Sequence, residues 1–240
     1  MATYLLLHAF PFDGSMWDAV SRRLRAAGHT VIAPDLRGFG SAPLGDDSPD
    51  LERMVDDVVP LLDGPAMIVG CSMGGYVALG IARRRADLVQ ALALVDTKAT
   101  ADAEAARTHR ARVAELAEGG GDWSAGMVEG LLGETTRRTR PDLVSGVEAV
   151  LAAAPRETVA WAQRAMAGRR EALGVLRDLE APVLVVVGDQ DTMSPMPEQD
   201  LIVEACAHVR LVTIADCGHL TPIEAPEPVV AALLAMVAAG

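Results

Sequence analysis

The stretch that most constrains this chain runs from Ala66 to Gly75, Ala-Met-Ile-Val-Gly-Cys-Ser-Met-Gly-Gly. Ala66 to Val69 have the length and make-up of a buried strand. Gly70-Cys71-Ser72-Met73-Gly74 comes next as G-x-S-x-G, and then a helical run from Met73 to about Arg85. That pattern needs a strand, a tight turn and a helix in this order. So sharp a turn strains the backbone at Ser72 and brings positions 70 and 74 together, where side chains would collide. Ser72 is expected to project at the carboxyl end of the strand, at a helix N-terminus that favours developing negative charge. A Gly- and Ala-rich chain also produces such a motif by accident, so its weight comes from partner residues in the right order along the chain.

Strand and helix patterns alternate from the start, which predicts a parallel sheet with helices on both faces. Expected strands are Thr3–Leu7, His29–Ala33, Ala66–Val69, Ala91–Val95, Pro182–Val187 and Val209–Ile214. The first helix is expected over Ser15–Ala27, with Ser15 as N-cap and Gly28 as the stop. Asp50–Leu62 and the two closing segments, Pro197–Ala207 and Pro226–Ala238, are the other core helices. The alternation stops between Ala99 and about Arg170. Ala101–Glu118, Trp123–Leu132, Leu143–Ala154 and Glu157–Ala167 all read as helix there. The expected division is a core of residues 1–98 and 171–240, with 99–170 as an all-helical lid over the strand ends, where open α/β sheets bind ligands.

At 240 residues with half of them hydrophobic, the chain can bury one sizeable core. A net charge of −12 argues against nucleic acid and anionic membranes as partners. Of 21 basic residues only Lys98 is a lysine, which reads as compositional bias. No signal peptide and no membrane-length apolar run is seen. Cys71, Cys206 and Cys217 form no disulfide framework, so a reducing cytoplasm is expected. No metal-ligand spacing and no G-x-G-x-x-G after a strand suggests a metal or cofactor.

Further segments extend the pattern. His8-Ala9-Phe10-Pro11-Phe12-Asp13-Gly14-Ser15-Met16-Trp17 and Asp35-Leu36-Arg37-Gly38-Phe39-Gly40-Ser41 lie before the Ser72 turn. Gly188-Asp189-Gln190-Asp191 and Gly218-His219 lie after it. Together with the helical insert, they resemble the α/β-hydrolase fold. The similarity is to its small esterases and lactonases, including 3-oxoadipate enol-lactonase-like and cofactor-free haloperoxidase-like enzymes. Two departures stand out. Only Met1 and Ala2 precede the first strand, so a six-stranded sheet without the usual antiparallel hairpin is expected. Ala9 stands where the family has glycine and would be strained if that position needs a positive φ.

The resemblance implies a serine hydrolase acting on a small ester or lactone. Ser72 is the nucleophile and His219, after the last strand, its base. Asp191 is the orienting acid, in the order Ser72, Asp191, His219. Asp96, at the end of the fourth strand, is the alternative acid, and Asp189 is expected to serve only the turn. The backbone N–H groups of Phe10 and Met73 would hold the oxyanion. His8 and Arg37 are expected to shape their loops, and Cys71 and Cys217 to be buried apolar fillers. Pocket candidates are Phe10, Phe12, Trp123, Met127, Trp161, Met166 and Met193. No arginine cluster points to an acidic substrate. The same triad would also serve thioester cleavage, perhydrolysis, C–C bond hydrolysis or a hydroxynitrile-type lyase, or remain in a ligand-binding receptor that turns over poorly. A monomer or homodimer is expected.

Overall fold

The computed structural model describes residues 1–237. Six parallel strands, β1 (Thr3–Leu7), β2 (Thr30–Ile32), β3 (Ala66–Cys71), β4 (Val89–Val95), β5 (Val183–Gly188) and β6 (Val209–Ile214), form one sheet in the order β2-β1-β3-β4-β5-β6. Every residue of β3 and β5 is buried. Such unbroken apolar runs are what a parallel sheet covered on both faces requires. The edge strands β2 and β6 are only partly buried.

The chain leaves β1 outward to β2 and then crosses back to β3 on the other side of β1. The strand order therefore reverses between β1 and β3, and a crevice opens at their carboxyl ends. Register aligns Leu7 with Gly70, so the loop that begins at His8 lies beside the turn that holds Ser72.

Helices α1 (Asp18–Ala26), α2 (Leu51–Val58) and α3 (Met73–Arg84) connect the first four strands. The first helix is not capped by Ser15 as expected. Asp13 accepts from the Ser15 N–H at 2.9 Å, and the chain enters α1 through a 3-10 turn over Gly14–Trp17. Asp50 caps α2 through the Glu52 N–H at 3.0 Å, which shields one otherwise unpaired amide.

Between β4 and β5 lie α4 (Glu104–Glu118), α5 (Met127–Leu131), α6 (Glu134–Thr139), α7 (Pro141–Ala153), α8 (Arg156–Ala167) and α9 (Leu173–Asp178). The first of these starts three residues later than expected, because Asp102 turns inward to two arginines instead of joining the helix. Short α6, with sequence Glu-Thr-Thr-Arg-Arg-Thr, carries no apolar stripe and gives no periodic signal. These helices are tied to the core loops. Trp161 Nε1 donates to the Asp47 carbonyl at 2.8 Å and Thr158 Oγ1 to the Gly38 carbonyl at 2.9 Å.

The last elements are α10 (Met196–Ala205), a single turn α11 (Thr221–Glu224) and α12 (Pro226–Val237), which packs on α1. The expected last helix reached Ala238, which lies outside the described residues. No helix among the described residues is long and apolar enough to cross a membrane.

Candidate active site

Ser72 has φ 50° and ψ −112°, a strained conformation outside the helix that it begins. The surrounding glycines make it possible. A Cβ at Gly70 would sit 2.2 Å from the Gly74 carbonyl oxygen, and one at Gly74 would sit 2.1 Å from the Leu7 carbonyl oxygen. The turn is held from both sides, by Ser72 N–H to the Val95 carbonyl at 3.0 Å and by Thr97 Oγ1 to the Ser72 carbonyl at 2.7 Å.

The Ser72 hydroxyl meets His219 Nε2 at 2.8 Å, and His219 Nδ1 meets Asp191 Oδ2 at 2.9 Å. Asp191 cannot donate when ionised, so Nδ1 carries the proton and Nε2 is left to accept from Ser72. The carboxylate is itself fixed. Its Oδ1 accepts from the Met193 and Ser194 N–H groups at 2.8 and 2.9 Å, and its Oδ2 accepts from the Ser194 hydroxyl. Sequence reasoning missed Ser194. The spacing Asp-x-x-Ser, an Asx-type turn, is the signal that could have found it.

Burial opposes charge on all three acid–base groups, and their neighbours decide the outcome. Burial works against an ionised Asp191, but the His219 charge and hydrogen bond hold its pKa below the usual value. Burial likewise disfavours a charged His219, yet the Asp191 charge and hydrogen bond raise its pKa. The alternative acid Asp96 is fully buried. Burial and the nearby Asp191 charge push its carboxyl up to about 7. It does not bond to His219. Its Oδ2 accepts from the Thr221 N–H at 2.9 Å and hydroxyl at 2.7 Å, and its Oδ1 accepts from the Gly188 N–H at 3.1 Å. Asp189 is exposed and its N–H extends the sheet ladder to the Ile214 carbonyl at 3.0 Å.

Phe10 lies in the loop after β1 and Met73 directly follows Ser72 as the first residue of α3, and neither N–H donates to an acceptor among the described residues. Ala9 does not carry the strain that a positive φ would impose. The non-glycine residues with positive φ among the described residues are Ser72, Asp96 and Asp216. His8 supports this loop from within the core. Its Nε2 accepts from the Leu36 N–H at 2.8 Å, which leaves the proton on Nδ1, 3.0 Å from the Ala9 carbonyl. Burial lowers its pKa to about 4 and keeps it neutral. Arg37 braces its own turn through Asp57 and Asp47, each at 2.8 Å. Cys71 and Cys217 are buried, and burial raises both thiols, that of Cys217 to about 12.

A cavity of about 290 Å³ opens over Ser72 and His219. Phe10, Trp123, Met127, Met166 and Met193 line it. Phe12 and Trp161 do not. Phe12 is core under the loop, and Trp161 points its indole N–H at the Asp47 carbonyl. Aromatic content alone could not separate wall from core. The sequence reading also missed Tyr76, Lys98 and one face of α4. That face carries Ala106, His109, Arg110 and Val113 at the i, i+3, i+4, i+7 spacing of a helix stripe. Its polar members hid it from a search for apolar residues.

The hydrogen-bonded chain of Ser72, His219 and Asp191, with Ser72 at a strand-to-helix turn, is the arrangement that hydrolases of this fold carry. The alpha/beta hydrolase family profile matches residues 4–232, and the chain belongs to that family. Among curated relatives, a pimeloyl-[acyl-carrier protein] methyl ester esterase of Neisseria meningitidis is 30% identical over 235 residues, covering 89% of this chain and 85% of that protein. Among solved structures, a thermophilic esterase from Thermogutta terrifontis, determined with malate bound, shares 37% identity. It aligns with a TM-score of 0.93 over 99% of this chain and 89% of that one. The enol-lactonase from Burkholderia xenovorans, at 22% identity, shares the fold with a TM-score of 0.88 over 99% of this chain and 91% of that one.

Proposed function

We propose that this carboxylic ester hydrolase cleaves a small ester or lactone through an acyl-enzyme on Ser72. The relay from Ser72 Oγ to His219 Nε2 at 2.8 Å and from Nδ1 to Asp191 at 2.9 Å is the observation that carries the reading. His219 takes the hydroxyl proton as Ser72 attacks the ester carbonyl. The Phe10 and Met73 N–H groups receive the oxyanion, and His219 then protonates the departing alkoxide. Water, deprotonated by the same imidazole, releases the acid. Asp191 keeps Nδ1 protonated and stabilises the imidazolium. The helices between β4 and β5 act as a lid whose apolar wall, with Trp123 and Met166, receives the acyl or alcohol part. The reaction needs no cofactor or metal, and a reducing cytoplasm suits the free cysteines.

Turnover of p-nitrophenyl butyrate and covalent labelling by a fluorophosphonate test this reading. Both are expected in the wild type and absent in Ser72→Ala. A folded wild type that shows neither would overturn it.

A further inference from the structure

The cavity wall carries positive charge that the protein does not neutralise. Asp102 is buried between two guanidinium groups, Arg110 Nε at 2.5 Å and Arg169 Nη1 at 2.6 Å, with side-chain exposures of 1% for Asp102 and 4% for Arg169. One carboxylate against two arginines leaves this cluster with one net positive charge. Arg169 lies 4.3 Å over the Tyr76 ring, and its Nη2 is buried with no hydrogen-bond partner among the described residues.

Two cations face the catalytic cavity itself. Arg110 spends Nε on Asp102 and Nη1 on Gln163 Oε1 and Met166 Sδ, and its Nη2 has no protein partner among the described residues. Lys98 lines the same wall, half-buried, with no hydrogen bond or ion pair among the described residues. Among the lining residues the one carboxylate is Asp102, already shared by two arginines. In a chain of net charge −12, a cationic wall at this place is an exception to the overall field. The rest of the cavity is apolar, with Phe10, Val113, Trp123, Met127 and Met166.

We infer that Lys98 and Arg110 form a carboxylate subsite beside Ser72, so that the preferred ester carries a free carboxylate on a short apolar stem. The substrate class is the half-ester of a short dicarboxylic acid. Hydrolysis adds water across the ester bond and yields an alcohol and a dicarboxylate. The charge on Lys98 and the free N–H of Arg110 both suit a carboxylate, which accepts two donors at once. The single lysine of the chain then has a use beyond compositional bias.

This inference rests on the esterase reading for its turnover and on binding alone for its subsite, so the two can fail separately. The monomethyl esters of succinate, glutarate and adipate are compared with their dimethyl esters, by kcat/KM, in the wild type and in Lys98→Met. Lys98 has no protein partner to strand, and the ratio of the two ester classes cancels any change in His219 itself. For at least one chain length the wild type should prefer the half-ester, and Lys98→Met should cut that preference by about tenfold, the worth of one charged hydrogen bond. Calorimetric titration with the free dicarboxylates should show the same loss of affinity. Equal or better use of the dimethyl esters by the wild type, or a preference untouched by Lys98→Met, would overturn the subsite. Dicarboxylate binding that depends on Lys98, in a protein that cleaves none of the esters, would keep the subsite and reject the esterase reading.

Discussion

The loops after β4 and β5 each present a buried aspartate toward the histidine loop, and the two residues behave in opposite ways. Asp191, after β5, is wrapped by local donors from Met193 and Ser194 and bonds to the imidazole. Asp96, after β4, spends its oxygens on Gly188 and Thr221 and joins strand end to histidine loop without touching the ring. Gln199 ties the two loops together, donating from Nε2 to the Thr97 carbonyl at 3.0 Å and to the Ser194 carbonyl at 2.7 Å. Residue type and strand-end position are therefore shared, and the difference lies in who donates to each carboxylate. One bonds to the imidazole; the other holds the loop that carries it.

The sharpest way to break this contrast is to neutralise each carboxylate in turn. Asp191→Asn should lower kcat on p-nitrophenyl butyrate by about 10⁴-fold at neutral pH, because an amide that donates to Nδ1 selects the wrong tautomer. Asp96→Asn should cost roughly tenfold, the value of one disturbed buried hydrogen bond. Comparable losses in the two variants would show that Asp96 shares the orienting role. Ser194→Ala removes the hydroxyl that bonds to Asp191, and a similar drop of roughly tenfold is expected, again read in kcat.

A gentler effect sharpens the same comparison. The base works only when neutral, and the carboxylate charges raise the His219 pKa. The rate should thus climb with pH through a midpoint above the ordinary histidine value. Asp96→Asn removes one of those charges and should move the limb to lower pH. Stability should carry opposite slopes. The lowered Asp191 pKa stabilises the fold above the unfolded carboxylate value and is lost as pH falls through the native one. The raised Asp96 pKa contributes most below the unfolded value and is lost as pH rises to about 7. Urea unfolding should therefore show the Asp191→Asn deficit steady above about pH 4 and shrinking at lower pH, and Asp96→Asn gaining on the wild type as pH rises from about 4 to about 7.

Much of this architecture is legible in the chain. The six strands can be read within about two residues of their bounds because buried parallel strands leave unbroken apolar runs. Local glycine and strand context single out Ser72 and His219, and the structure places them in contact. Choosing between Asp191 and Asp96 needs geometry, since both lie after strands and both are buried. The cavity wall is the least legible. Trp161 and Phe12 look like pocket residues in composition but pack as core, while Arg110 and Lys98 look like surface charges yet face the site. A side chain's direction at a helix–sheet junction depends on how the elements dock, which periodicity within one element does not encode.

Glu224 braces two segments far apart in the chain. It accepts from the Gly218 N–H in the histidine loop and from the Gly133 N–H between α5 and α6, each at 2.9 Å, while the His219 N–H donates to the Leu131 carbonyl at 3.2 Å. A Cβ at Gly218 would fall 2.2 Å from the Gly133 nitrogen, so the two backbones are in direct apposition. The helical segment and the base are in effect spliced here. Exchanging the insert for that of another family member is not a free modular graft: the donor piece would have to bring a matching backbone seam, or the recipient would lose the alignment of its own histidine.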